Sequence, residues 1–224
     1  MRILAIDTAL EACSAAVLDS ALDSLTTRSV PMVRGHAEAL MPLIAAVMSD
    51  SGVEFAELDR IVVTVGPGSF TGLRVGVAAA RAIALASGKP AVGVTTLAAL
   101  AAPFFDDDAG TVMSVIDARH DRVYMQLFGP GGRSLVAPRI ATVHIATHAA
   151  LAGPTRIVGN AARLIEAMWP PGEPPPLAST TRAADIAWVA RLGAASHDLT
   201  APVRPLYLSD ADAHPQEAGV LPRR

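Results

Sequence analysis

Residues 60–74 read RIVVTVGPGSFTGLR, and this stretch decides the fold. Residues 60–65 form a β-branched run with no polar alternation, the pattern of a strand buried on both faces of a parallel or mixed sheet. Residues 66–69 turn the chain, and residues 71–87 read as a helix closed by Gly88 and Pro90. Working outward toward the N-terminus, residues 3–6 and 13–18 are short apolar runs around the polar turn 7–12, a two-stranded hairpin, and 25–32 supplies a third strand. Between them and residue 60, Leu40, Leu43, Ile44, Val47 and Met48 recur at helical spacing over 36–49, with Gly52 as a stop. Toward the C-terminus, 91–94 is another buried strand, and 96–102 a short helix ending at Pro103.

That order of three strands, helix, strand, helix, strand, helix matches the ribonuclease H-like α/β layout. After the acidic linker 106–110, residues 111–129, TVMSVIDARHDRVYMQLFG, repeat the opening pattern MRILAIDTALEACSAAVLD of residues 1–19. Each is an apolar strand, an Ile-Asp pair, a polar turn and a second apolar strand, so Asp117 is the internal counterpart of Asp7. A duplication of this kind predicts two related lobes, as in the actin-like ATPase superfamily. The expected division is an N-terminal lobe over 1–105, a reduced C-terminal lobe over 111–208 and a disordered tail over 209–224. The second lobe reads as a strand at 156–159, a helix at 161–168, a Pro-rich segment at 170–176 and a helix at 183–195.

Composition supports a folded chain. With 51% hydrophobic and 17% charged residues and a mean hydropathy of +0.39, the 224 residues are too apolar for disorder. Alanine supplies 44 residues and aromatics only nine, so the cores must be aliphatic and helices can pack closely on small side chains. The net charge of -3, with Lys89 the only lysine, gives no electrostatic reason to bind nucleic acid strongly by itself. A single cysteine, Cys13, excludes an internal disulfide or a cysteine metal cluster. The opening MRILAID reaches Asp7 after too short an apolar run for an export signal, and the longest uncharged stretch, 90–105, is too short to span a bilayer. A soluble cytoplasmic protein is expected.

The glycine turn sits between a buried strand and a helix N-terminus, a place suited to an anion. Yet Gly66, Gly68 and Gly72 are spaced GxGxxxG, not as a dinucleotide fingerprint, and Gly88-Lys89 is followed by Pro90, not by the Ser or Thr of a P-loop. The expected role of these glycines is structural: a tight turn and, with Gly76 and Ala80, a small-residue stripe for close packing. Asp7 stands where actin-like ATPases place a carboxylate near phosphates, but a turn Asp also caps backbone. At the matching turn after Asp117, Arg119, His120, Asp121 and Arg122 crowd out a phosphate. His144 and His148 form an HxxxH pair, one helix face if helical, yet Ile145 replaces the Glu of a zinc peptidase, and surface histidines without a metal are expected. His36 opens a helix as a cap or partner contact. Asp106, Asp107 and Asp108 are a solvated charge run. No Ser/His/Asp order or carboxylate pair emerges, so no catalytic residue is nominated.

The segments IDTALEACSAAVL (6–18), GHAEALMPLI (35–44), VTVGPGSFTGLRVGVAAARAIALASGKPAVGVTTLAAL (63–100), DARHDRVY (117–124) and PLYL (205–208) together resemble the bacterial TsaB (YeaZ-type) family of tRNA threonylcarbamoyladenosine biosynthesis. The resemblance implies an actin-like fold and a role in making the N6-threonylcarbamoyl group on adenosine 37 of ANN-decoding tRNAs. The stretch is also similar to the catalytic subunit TsaD, whose two metal-binding histidines fall on Thr96 and Leu100 here. Neither side chain can replace a metal-bound imidazole. What is implied is a noncatalytic paralogue that dimerises with TsaD, works with TsaE, meets tRNA only through the complex and self-associates in isolation. It would hold no cofactor of its own, with ATP and metal on the partner. Ser209 stands where the family often has Arg. The alternatives are an actin-like ATPase or small-molecule kinase, which would need tight ATP binding, and a metallopeptidase-like protein, which would need bound metal.

The expected partner surface is the pair of first-lobe helices, which carry more apolar and small residues than one buried face requires. On one these are Leu40, Leu43, Ile44 and Val47; on the other Gly72, Val75, Gly76, Ala79, Ala80 and Ile83. Two helices from each partner would form a pseudo-twofold four-helix bundle, with Arg74 and Arg81 at its rim.

Overall fold

A computed structural model describes residues 1–105, 110–153, 155–197, 199 and 201–208. Strands β1 (Arg2–Asp7), β2 (Ala12–Asp19) and β3 (Ser24–Pro31) form an antiparallel meander. Helix α1 (His36–Ser51) leads to β4 (Arg60–Gly66), which pairs parallel to β1, and α2 (Phe70–Ser87) leads to β5 (Ala91–Thr95), parallel to β4. Helix α3 (Thr96–Ala101) closes this half. The second half repeats the scheme with β6 (Thr111–Asp117), β7 (Arg122–Phe128), β8 (Ser134–Thr142), α4 (Val143–Ala150), β9 (Thr155–Val158), α5 (Ala162–Ala167), β10 (Leu177–Ser179) and α6 (Ile186–Ala195).

Among the described residues the strands form two five-stranded sheets, ordered β3-β2-β1-β4-β5 and β10-β9-β6-β7-β8. Read from the third strand of each half, the two orders are the same, so β6 stands in its sheet where β1 stands in the other. The repeat seen around Asp7 and Asp117 is a repeat of topology. The fold is α/β, with two ribonuclease H-like halves of the actin-like type.

Strand β4 is buried on both faces, as its unbroken apolar run requires. Ile61 and Val63 join Leu4, Ile6, Leu40, Ile44 and Val47 in the core beneath α1 and α2. Val62 points the other way, into a core shared by both sheets with Ile3, Leu97, Val112, Ile116 and Val189. A third core lies behind the second sheet, where Met113, Val115, Met125 and Ile157 meet Val143, Ala146 and Ile165.

By length and composition α2 could cross a bilayer; it packs against β4 with Arg74 and Arg81 on its exposed side. Its first residue is Phe70, because Ser69 caps the helix through its hydroxyl, which accepts from the Gly72 amide at 3.2 Å. Helix α6 begins at Ile186 and not at 183, for the same reason: the Asp185 carboxylate accepts from the Ala187 amide.

Three elements escaped the sequence pattern, β8, α4 and β10. Strand β8 contains Pro138 and lies at a sheet edge, where a missing N–H breaks no ladder, and β10 has three residues directly after the Pro-rich segment 170–176. Helix α6 departs from the expected division of the chain. It comes from the second half yet lies on the first sheet, where Gly193 approaches Val62 so closely that a Cβ would fall 2.2 Å from a Val62 methyl. Arg60 caps its C-terminus, donating from Nη1 to the carbonyls of Gly193 (2.8 Å) and Ser196 (2.9 Å). The acidic run 106–108 and the expected tail 209–224 lie outside the described residues.

Candidate functional site

The glycine turn closes onto the β1–β2 turn. Thr8 Oγ1 donates to the Gly72 carbonyl (2.7 Å), and the Ser69 amide donates to the Ala9 carbonyl (2.8 Å). A Cβ on Gly68 would stand 2.3 Å from the Ala9 carbonyl oxygen, and one on Gly72 would stand 2.1 Å from that of Thr8. On Gly76 it would meet Thr8 Oγ1 at 2.4 Å. Real Cβ atoms do not approach so closely, so these positions require glycine for proximity. Gly66, at φ 114°, needs it for conformation as well. Three amides at this turn are already bonded within the chain: Ser69 N to Ala9, Gly72 N to the Ser69 hydroxyl and Leu73 N to the Ser69 carbonyl.

Asp7 lies beside this turn and is fully buried. Its Oδ1 accepts from Thr64 Oγ1 (2.5 Å) and the Ala9 amide (3.0 Å), while Oδ2 is buried without a partner. Burial holds its pKa above the ordinary carboxylate range; the Thr64 hydroxyl, the Ala9 amide and the charge of His36 pull the other way. Burial, with the Asp7 charge adding to it, pushes the nearby Cys13 thiol up to about 11. His36 is neither a cap nor a surface contact. Gly35 occupies the cap position, and the buried imidazole bonds the Leu10 carbonyl through Nε2 at 3.1 Å, tying α1 to the β1–β2 turn. Asp117, unlike Asp7, is exposed and caps its own turn by accepting from the Arg119 amide (2.8 Å). His144 and His148 share the exposed face of α4, with their Nε2 atoms 3.2 Å apart.

The residues expected at a partner surface are mostly interior. Leu40, Leu43, Ile44 and Val47 are buried against the first sheet. Gly72, Gly76 and Ala80 face Thr8 and β4, leaving only Val75, Ala79 and Ile83 partly exposed. The reason is alanine. Both helices have one buried apolar face, and small residues on the other face make them look apolar all round. The exposed side is Ala37, Met41, Pro42 and Ala45 on α1, and Phe70, Arg74, Ala78, Arg81, Ala82 and Leu85 on α2, with Leu85 86% exposed. Arg74 and Arg81 are exposed.

The segment 202–208 was legible only as a family match, and it completes this face. The Leu206 amide donates to the Val65 carbonyl (2.7 Å), Val203 enters the core beneath α1 and α2, and Tyr207 packs on Phe70 with ring centroids 5.2 Å apart. Arg74 covers the Phe70 ring at 3.7 Å and donates from Nε to the Tyr207 hydroxyl at 3.1 Å. Beside them opens a shallow groove of about 530 Å³, lined by Arg74, Val77, Ala78, Arg81, Pro205 and Tyr207.

The family model described as TsaD: tRNA N6-adenosine threonylcarbamoyltransferase matches residues 30–188. An Escherichia coli protein named tRNA threonylcarbamoyladenosine biosynthesis protein TsaB is 37% identical over 125 residues, 55% of this chain and 53% of that protein. YeaZ from Pseudomonas aeruginosa superposes with a TM-score of 0.74 at 25% identity, covering 92% of this chain and 99% of that one. A second Pseudomonas aeruginosa structure, described by its similarity to peptidase YeaZ, reaches 0.81 at 25% identity over 93% and 99%. The chain belongs to the TsaD family and is of the TsaB (YeaZ) type. Named members of the type act in tRNA threonylcarbamoyladenosine biosynthesis, and this chain matches about half the length of the TsaB proteins from Escherichia coli and Haemophilus influenzae. Thr96 and Leu100, the positions where the sequence resemblance implied metal-binding histidines in a relative, are 0% and 4% exposed, and a hydroxyl and an aliphatic side chain do not fit a metal. At the glycine turn the Ser69, Gly72 and Leu73 amides are spent on bonds within the chain.

Proposed function

We propose that this chain serves tRNA threonylcarbamoyladenosine biosynthesis as a noncatalytic subunit that binds a TsaD catalytic relative through the outward face of α1 and α2. The observation carrying this reading is the burial of Thr96 and Leu100, which puts an aliphatic core where the catalytic relatives are expected to hold their metal. Metal and ATP then belong to the partner, and this chain contributes a surface. A kinase or ATPase would use turn amides for phosphate, and those of Ser69, Gly72 and Leu73 are bonded to Ala9 and Ser69. The exposed face supports a docking role, because Met41, Ala45, Ala78, Ala82 and Leu85 place apolar surface beside the Arg74 and Arg81 guanidiniums. Alone, the same face would pair isologously with a second copy. TsaE would join the assembled pair, and tRNA would be bound by the complex in the cytoplasm.

The test is a reconstitution. Threonylcarbamate transfer to tRNA is measured with this chain, its TsaD relative, a TsaE relative and ATP, each omitted in turn. The expected result is co-elution with the TsaD relative, loss of transfer when this chain is left out, and no ATP hydrolysis by this chain alone. Turnover by the pure chain, or full activity without it, would overturn the reading.

A further inference from the structure

We propose that His144 and His148 form a two-histidine chelate for a divalent transition-metal ion of the zinc class, on the outer face of the second lobe. The pair lies at i and i+4 on α4, so both imidazoles project from one side of the helix. Their Nε2 atoms are 3.2 Å apart and their ring centroids 4.4 Å. With zinc–imidazole bonds of about 2.0–2.1 Å, two nitrogens at 3.2 Å subtend roughly 100° at a common ion, between the octahedral and tetrahedral angles. The separation already matches that of two nitrogens on one ion, and a turn of the imidazoles would bring both lone pairs onto it.

The helix beneath them is held firmly. Val143, Ala146, Thr147 and Ala150 bury its opposite face. Its start is fixed by Thr142 Oγ1, which accepts from the Ile145 amide (3.2 Å), and by the Val143 amide, which donates to the Asp121 carbonyl (3.0 Å). Without metal, one Nε2–H donates to the other Nε2, so the two rings carry opposite tautomers. An ion takes both Nε2 lone pairs; the donor ring moves its proton to Nδ1 through solvent, and with both rings neutral no proton is released overall.

Among the described residues no group of three or more His, Cys, Asp or Glu side chains converges, so the chain supplies two ligands and water completes the shell. Two neutral imidazoles select zinc, nickel or copper(II) over magnesium and calcium, which prefer oxygen ligands. Bound metal would staple the first turn of α4 to its last. The site is in the opposite lobe from Thr96 and Leu100, and it does not rest on the functional reading above.

The experiment is equilibrium dialysis of the chelator-stripped full chain against Zn2+, with metal content read by elemental analysis and thermal unfolding followed in parallel. One zinc per chain and a raised melting temperature are expected, since the ion binds only the folded helix geometry. Replacing either histidine, His144→Ala or His148→Ala, removes the chelate and should weaken binding by about a hundredfold. Both side chains are exposed, so circular dichroism should stay native, and His120→Ala should bind like wild type. Magnesium should give no shift. Failure of the wild type to bind zinc, or undiminished binding in His144→Ala and His148→Ala, would overturn the proposal.

Discussion

Thr8 and Gly72 touch backbone to backbone: the Thr8 hydroxyl donates to the Gly72 carbonyl at 2.7 Å, and the Thr8 carbonyl lies where a Cβ on residue 72 would have to be. Gly72→Ala should therefore destabilise the fold by about 2–3 kcal/mol despite alanine's better helix propensity, because a backbone oxygen cannot swing aside. Gly76 differs, since its hypothetical Cβ meets the Thr8 side-chain oxygen. Thr8→Ala should thus rescue part of the loss from Gly76→Ala and none of that from Gly72→Ala. Urea unfolding of the two double-mutant cycles checks this; equal coupling in both would contradict the contact geometry.

Burial raises the folded-state pKa of Asp7, so the native protein binds its proton more tightly than the unfolded chain does. The stability this contributes is complete below the ordinary carboxylate pKa and is lost as pH rises through the raised value. Asp7→Asn, which keeps an oxygen for Thr64 and Ala9, should remove that pH dependence and match or exceed the wild type near neutrality. Unfolding free energies across an acid-to-neutral series decide it. A wild type that gains stability over the variant as pH rises would show that Asp7 is held as a stabilised carboxylate.

The outward face of α2 separates association from folding. Ala78→Glu, Ala82→Glu or Leu85→Glu should abolish binding to the TsaD relative and self-association while leaving the circular dichroism native. Gly76→Glu and Ala80→Glu should unfold the chain instead, since both positions are buried. Size-exclusion chromatography with light scattering reads the first effect and thermal melting the second. Native association by the folded surface variants would place the interface elsewhere.

Tyr207 joins the C-terminal segment to the start of α2 through Phe70 and Arg74. Tyr207→Ala should lower stability by about 1 kcal/mol, the scale of one aromatic pair at a partly exposed site. Tyr207→Phe should keep the ring contact and lose only the Arg74 hydrogen bond. Thermal unfolding would show the order wild type, Phe, Ala; no difference between Ala and wild type would mean the segment is held by Leu206 and Val203 alone.

Local pattern was enough for the β4–turn–α2 unit, because a doubly buried strand needs an unbroken β-branched run, and a close-packed turn needs glycines wherever another backbone passes. It was also enough for the duplication, since Asp7 and Asp117 end matching strands in sheets of the same order. Tertiary structure alone decided which way α1 and α2 turn. Leucine, valine and alanine are all apolar letters, and only the position of the sheet separates Leu40 and Ala80, which are interior, from Ala45 and Ala82, which are exposed. The crossing of α6 onto the first sheet, held by Arg60 and Gly193, depends on residues more than a hundred positions apart. So does the return of Tyr207 to Phe70. Periodicity reports how a segment divides its own surface, and the partner that covers each side is settled only when distant segments compete for the same apolar face.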